Sequence, residues 1–174
     1  MKQIKANIAV SLDGFIATRD NELDWIPQNV RALLSKEYEA AHNLIMGTNT
    51  YTYIFEHWGG WPYKSKKTFV VSHYDTNVTE KENVTFLTDM PLRAVNELKS
   101  SSEIDIQVIG GGKFITSLIE ASLLDEITLY IVPVMLGDGI KFIGKTFGSK
   151  WELTEHRMLD NQVVCLTYQY KGER

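Results

Sequence analysis

Apolar and polar residues alternate from the start of the chain. Ile4, Ala6, Ile8, Val10 and Leu12 fall on one side, with Lys5, Asn7 and Ser11 opposite. That two-residue period predicts a strand. After a polar stretch, Val30, Leu33, Leu34, Tyr38 and Ala41 recur at helical spacing, with Pro27 placed to open the helix. Leu44-Ile45-Met46 is a short apolar run, suited to a buried strand that stops at Gly47, and Tyr51, Ile54, Phe55 and Trp58 return to helical spacing. Lys67 to Val71 and Val84 to Leu87 predict two further strands, and Pro91 opens a helix through Leu92, Val95 and Leu98. Ile104, Ile106 and Val108 alternate into Gly110-Gly111-Gly112, and Phe114, Ile115, Leu118 and Ile119 mark another helix. Ile127, Leu129 and Ile131 form a strand ending at Pro133. Two strands, about 150–158 and 163–170, close the chain around the polar turn Leu159-Asp160-Asn161-Gln162.

Strand and helix alternate until that final hairpin. Such an order predicts an α/β fold with right-handed crossovers, a mainly parallel sheet, helices on both faces and an antiparallel edge. With 174 residues and no linker, repeat or shift in composition, residues 1–174 read as one domain. A chain of this size buries roughly 70% of its unfolded surface and needs no staples.

The net charge of −4 leaves no basic footprint for nucleic acid or an anionic membrane. Cys165, the single cysteine, can form no internal disulfide and no cysteine zinc site, and the four histidines lack metal-ligand spacing. No metal is expected. The first ten residues lack the continuous apolar core of a signal peptide, and nothing approaches 18 consecutive apolar residues. A cytoplasmic soluble enzyme or binding protein is the resulting expectation.

In open α/β sheets ligands bind beyond the carboxyl ends of the strands. Three such ends carry small or polar residues here: Gly47-Thr48-Asn49-Thr50, Ser72-His73 and Gly110-Gly111-Gly112-Lys113. The first and third run from strand into helix, where free N–H groups and the positive end of the helix dipole suit phosphate oxygens. Neither is the G-x-G-x-x-G of a Rossmann domain. Together with Ser72-His73, they can span a dinucleotide.

Several blocks resemble a known family. Ser11-Leu12-Asp13-Gly14-Phe15-Ile16-Ala17, Ile45-Met46-Gly47-Thr48-Asn49-Thr50-Tyr51, Val108-Ile109-Gly110-Gly111-Gly112, Leu123-Leu124-Asp125-Glu126-Ile127 and Pro133-Val134-Met135-Leu136-Gly137-Asp138-Gly139 follow one another as in the reductase domain of bacterial riboflavin-biosynthesis proteins. The resemblance covers nearly the whole chain. It implies the dihydrofolate reductase fold, with an eight-stranded sheet and an NADPH site. Carried over, Gly47, Thr48, Asn49 and Thr50 would cradle the cofactor phosphates from one helix start, and Gly110, Gly111, Gly112 and Lys113 from the other. Ser72 and His73 would lie by the adenosine ribose and its 2′-phosphate. Relatives often place an Arg directly after the first glycine, where this chain has Thr48, so NADH stays open beside NADPH.

The same resemblance implies a stand-alone NADPH-dependent oxidoreductase similar to 5-amino-6-(5-phosphoribosylamino)uracil reductase, working as a homodimer. Asp13 would lie near the nicotinamide, binding substrate or orienting a proton-donating water, although Asp-Gly is equally a favoured turn pair. Trp25 would line the substrate slot or else pin its loop. A dihydrofolate reductase needs a carboxylate on the first helix, and Gln28-Asn29-Val30-Arg31-Ala32 holds none in that turn. The companion deaminase needs H-x-E and P-C-x-x-C, which one cysteine cannot supply. A non-catalytic nucleotide-binding module on the same fold is the competing class. The aromatic loop Trp58-Gly59-Gly60-Trp61-Pro62-Tyr63 suits a lid, a dimer contact or a packed turn.

Overall fold

The computed structural model describes residues 2–72, 82–144 and 148–173. Within them the chain runs β1 (Ile4–Ser11), β2 (Phe15–Ala17), α1 (Gln28–Ala40), β3 (Asn43–Gly47), α2 (Thr48–His57), β4 (Lys67–Val71) and β5 (Val84–Leu87). It continues through α3 (Pro91–Ser101), β6 (Ile106–Gly110), α4 (Gly112–Glu120), β7 (Glu126–Val132), β8 (Ile140–Lys141), β9 (Ser149–Met158), a 3₁₀ turn at Asp160–Gln162 and β10 (Val164–Glu173).

Eight strands form one sheet in the order β5-β4-β3-β6-β1-β7-β10-β9. The six from β5 to β7 pair in parallel, and β10 and β9 add the antiparallel edge. α1 and α2 pack on one face, where Tyr38, Tyr51 and Ile54 meet Leu44, Met46 and Val70. α3 and α4 pack on the other, where Val95, Phe114, Ile115 and Leu118 meet Ile4, Ala6, Ile8, Ile45 and Val108. The architecture is therefore the mainly parallel α/β sheet that the strand–helix alternation predicts.

Three details differ from the pattern along the chain. β1 lies at the centre of the sheet, so its polar side is covered as well: Asn7 and Ser11 are buried beneath the α1 face. Leu12 continues the alternation on paper but falls past the end of β1, in a turn, and is 58% exposed. Ile104 likewise lies outside β6 and is exposed. β2 and β8 form a separate two-stranded sheet, too short to show a period. The aromatic loop is no lid along its second half, because Trp61 and Tyr63 are buried against Tyr51 and Tyr38.

Candidate active site

β3 and β6 are neighbours, yet the helices that follow them leave to opposite faces of the sheet. Chain reversal of this kind opens a crevice at the carboxyl ends of the two strands. A cleft of about 700 Å³ lies there.

The α2 side begins at Gly47, which holds extended backbone (φ −80°, ψ 157°) before the helix starts at Thr48. The Thr48 hydroxyl donates to the Val71 carbonyl at 3.0 Å, so it ties the helix start to the end of β4 instead of capping its own helix. The first N–H groups of α2 therefore have no side-chain acceptor and open toward the cleft.

The α4 side is set by two glycines with different constraints. Gly111 holds φ +93°, a region side chains rarely adopt, and a Cβ there would stand 3.0 Å from Thr50 Oγ1. Thr50 of one glycine-led junction thus lies close against Gly111 of the other. Gly112 is limited by space alone: a Cβ would collide with the backbone carbonyl of Lys141 and lie 3.1 Å from that of Phe142. α4 also starts without a side-chain cap.

Of the dinucleotide-site residues expected from the sequence, Gly47, Thr48, Asn49, Thr50, Ser72, Gly110, Gly111, Gly112 and Lys113 all line this one cleft. His73 lies outside the described residues. Beyond the glycine junctions the cleft extends along β1 to Asn7 and Ala9, under Leu23 and Ile26 of the segment before α1, and against Leu34 and Tyr38 of α1. This second chamber is nearly all apolar. The Tyr38 hydroxyl donates to the Asn7 carbonyl at 3.3 Å, and its ring meets Tyr63 edge-on at 6.2 Å. Burial, reinforced by nearby Tyr63 and Tyr130, pushes its phenol far above the ordinary tyrosine value, so it stays protonated.

Asp13 and Trp25 are not among the residues lining the cleft. Trp25 is half-buried, packed with the cluster of Ile26, Val30 and Val132 beneath α1. The Asp13 carboxylate accepts from Ser11 Oγ at 2.6 Å, from the Gly137 N–H at 2.7 Å and from the Leu136 N–H at 3.1 Å. The Ser11 hydroxyl and then these two amides hold its carboxyl below the usual 3.8, against partial desolvation. Asp13 thus clamps the turn after β1 to a loop more than a hundred residues away. A depressed folded value means that the clamp is intact above the usual value and lost as pH falls through the folded one. Protection of the Leu136 and Gly137 amides, relative to their intrinsic exchange rates, should therefore fall only on strong acidification. Asp13→Asn should show fast exchange at neutral pH.

Asp138 in the same loop pairs with Arg19. Among the described residues, no group of three His, Cys, Asp or Glu side chains is placed to hold a metal, and no helix is long and apolar enough to cross a membrane.

Asn7, Leu34 and Tyr38 were not singled out by the sequence. Asn7 sits on the polar side of an alternating strand and Tyr38 on the apolar stripe of a helix, so each looks ordinary. The available signal is the paired sides of β1: both must be buried if β1 is central.

The RibD C-terminal domain model matches residues 2–165. An uncharacterized Bacillus subtilis (strain 168) protein, YyaP, is 28% identical across 98% of this chain and 96% of its own length. A solved Shewanella sp. PV-4 protein, provisionally assigned to riboflavin biosynthesis, superposes with a TM-score of 0.80 at 25% identity, covering 97% of this chain and 99% of that one. Dihydrofolate reductase from Enterococcus faecalis, solved with NADP(H), superposes with a TM-score of 0.68 at 19% identity, covering 97% and 96%. The fold is dihydrofolate reductase-like, and the chain belongs to the RibD C-terminal domain family.

Proposed function

We propose that this protein is an NAD(P)H-dependent reductase of a small heterocyclic or ribosyl compound. The observation that carries the reading is the continuity of one cleft: two glycine-led helix starts meet at one end, and a largely apolar chamber along β1 adjoins them. The first part fits a pyrophosphate, since glycine lets it reach the backbone N–H groups of Gly47–Thr50 and Gly110–Lys113. Ser72 and His73 would face the adenosine ribose. Lys113 is the one charged side chain among the described residues that line the cleft, and it would meet a phosphate. The E. faecalis neighbour was solved with NADP(H), which supports a nicotinamide cofactor on this fold.

When bound, the nicotinamide supplies a hydride for a C=N or C=O carbon. The chain's own residues hold the reactants together and exclude water. Asp13 serves by fixing the turn after β1 against residues 136–137. Asp13→Asn should lower kcat/KM by roughly tenfold to a hundredfold while leaving cofactor affinity unchanged.

The phosphoribosylaminouracil reduced by the family's namesake reductase is the reference compound for turnover. Folate reduction is disfavoured, because α1 presents Leu34 and Tyr38 to the cleft and none of its carboxylates. The primary test is titration with NADPH and NADH, followed by quenching of the four tryptophans. Dissociation constants on the order of micromolar are expected. Lys113→Ala should weaken NADPH by about threefold to tenfold, the scale of an exposed cation on a phosphate. No binding of either nucleotide would overturn the reductase reading.

A further inference from the structure

We propose that the substrate chamber takes an uncharged, unphosphorylated ring compound, and that the Asn7 carboxamide is the group that reads it. The inference rests on the reductase reading, and it narrows the substrate class within it. Three observations carry it.

First, the chamber walls formed by Ala9, Leu23, Ile26, Leu34 and Tyr38 hold no formal charge. A phosphate dianion seated against these walls would give up hydration with no cation among them to offset the loss. Lys113 lies at the helix-led end, where the cofactor needs it. The α1 start offers no alternative anion site: residues 27–33 do not line the cleft, and Asn29 is hydrogen-bonded to Asn161 of the closing hairpin at 3.3 Å.

Second, Asn7 is a polar residue on the central strand, only 9% exposed, and it lines this chamber. Among the described residues its side-chain amide makes no hydrogen bond, whereas its backbone carbonyl is taken by Tyr38. Its amide atoms reach the open cleft and have no protein partner, so they are free to pair with a ligand that fills the chamber. Its oxygen and NH₂ together match a ring that presents an acceptor beside a donor, as a cyclic amide does.

Third, the Tyr38 hydroxyl is already committed, and its phenol stays neutral at ordinary pH. Asn21 also lines the cleft but is exposed, so Asn7 is the interior carboxamide among the described residues of the chamber.

The test is calorimetric binding to protein saturated with NADP⁺, using matched pairs: riboflavin and its 5′-phosphate, uridine and its 5′-phosphate, and ribosylaminouracil with and without its 5′-phosphate. At least one neutral member should bind more tightly than millimolar and at least tenfold better than its phosphorylated partner. Asn7→Leu should weaken that neutral member tenfold or more with NADPH affinity unchanged. Asn7→Gln, which keeps the amide, serves as a second variant if Asn7→Leu does not fold, and it should shift the preference among rings without creating a preference for the phosphorylated members. Preference for a phosphorylated member, absence of binding by every neutral member, or an Asn7→Leu protein with unaltered selectivity would overturn the proposal. Failure of the reductase reading is separately visible, because NADPH itself would then not bind.

Discussion

Gly112→Val is expected to lose about 3 kcal/mol or more of stability and its cofactor binding in the same step, at the upper end of what overpacking costs. The first atom of any side chain at this position meets the backbone carbonyl of Lys141, with Phe142 carbonyl and Ile16 Cδ1 close behind. Backbone carbonyls of a strand cannot swing aside like the tip of a lysine. Either β8 lifts from the start of α4, or α4 tilts away from β6. Both movements deform the glycine turn that opens α4. Gly47→Ala is the control: its Cβ would make an ordinary 3.5 Å contact with Phe114 Cβ, and φ is −80°. It should cost less than about 1 kcal/mol, the usual scale at a helix N-cap. Urea melts alongside NADPH titrations read both quantities. A Gly112→Val protein as stable as the wild type would show that β8 is not held against α4 in solution.

Tyr38→Ala carries the other large effect, about 3–5 kcal/mol, as for other buried aromatics truncated to a methyl. The ring is 7% exposed and belongs to the cluster with Leu44, Met46, Tyr63 and Val70. Its removal also joins the chamber wall to a new cavity. Tyr38→Phe keeps the packing and removes one long hydrogen bond to Asn7, at a cost of about 1 kcal/mol or less. The two variants therefore separate volume from polarity. They differ in alkali too. A phenol with a raised folded pKa contributes stability below the ordinary value of 10.0, and that contribution falls away as pH climbs beyond it. Tyr38→Phe should lose less stability above pH 10 than the wild type does. Equal alkaline losses would mean that Tyr38 is not buried as described.

Much of this molecule is legible along the chain, and the reasons are local. Leu44-Ile45-Met46 ending in Gly47, and Ile106 to Val108 ending in three glycines, are strand cores whose exits must turn sharply into helices. Those two junctions line the cleft with Ser72. What stays hidden depends on distance. β6 lies between β3 and β1, an order no periodicity reports. Asp13 can be read as a turn residue or a site residue, and its actual bonds go to Ser11, Leu136 and Gly137. Asn7 looks solvent-facing because a strand covered on one side and a strand covered on both can share the same alternation. β2 and β8, of three and two residues, are too short to register at all.

The position of β6 also bears on how the chain is made. Its residues from Ile106 onward pair with Ile4, Lys5 and Ala6 of β1 on one side and with Asn43, Leu44 and Ile45 of β3 on the other. A ribosome delivers β1 and the β3-β4-β5 group well before that filler strand emerges. Until it does, the nascent chain carries two facing strand edges with unpaired N–H and C=O groups and no native partner between them, the condition in which strand edges recruit the wrong neighbour. Completion of the sheet is therefore a late event in synthesis, and a chain cut before residue 106 should be held by chaperones or aggregate instead of persisting as a smaller folded unit.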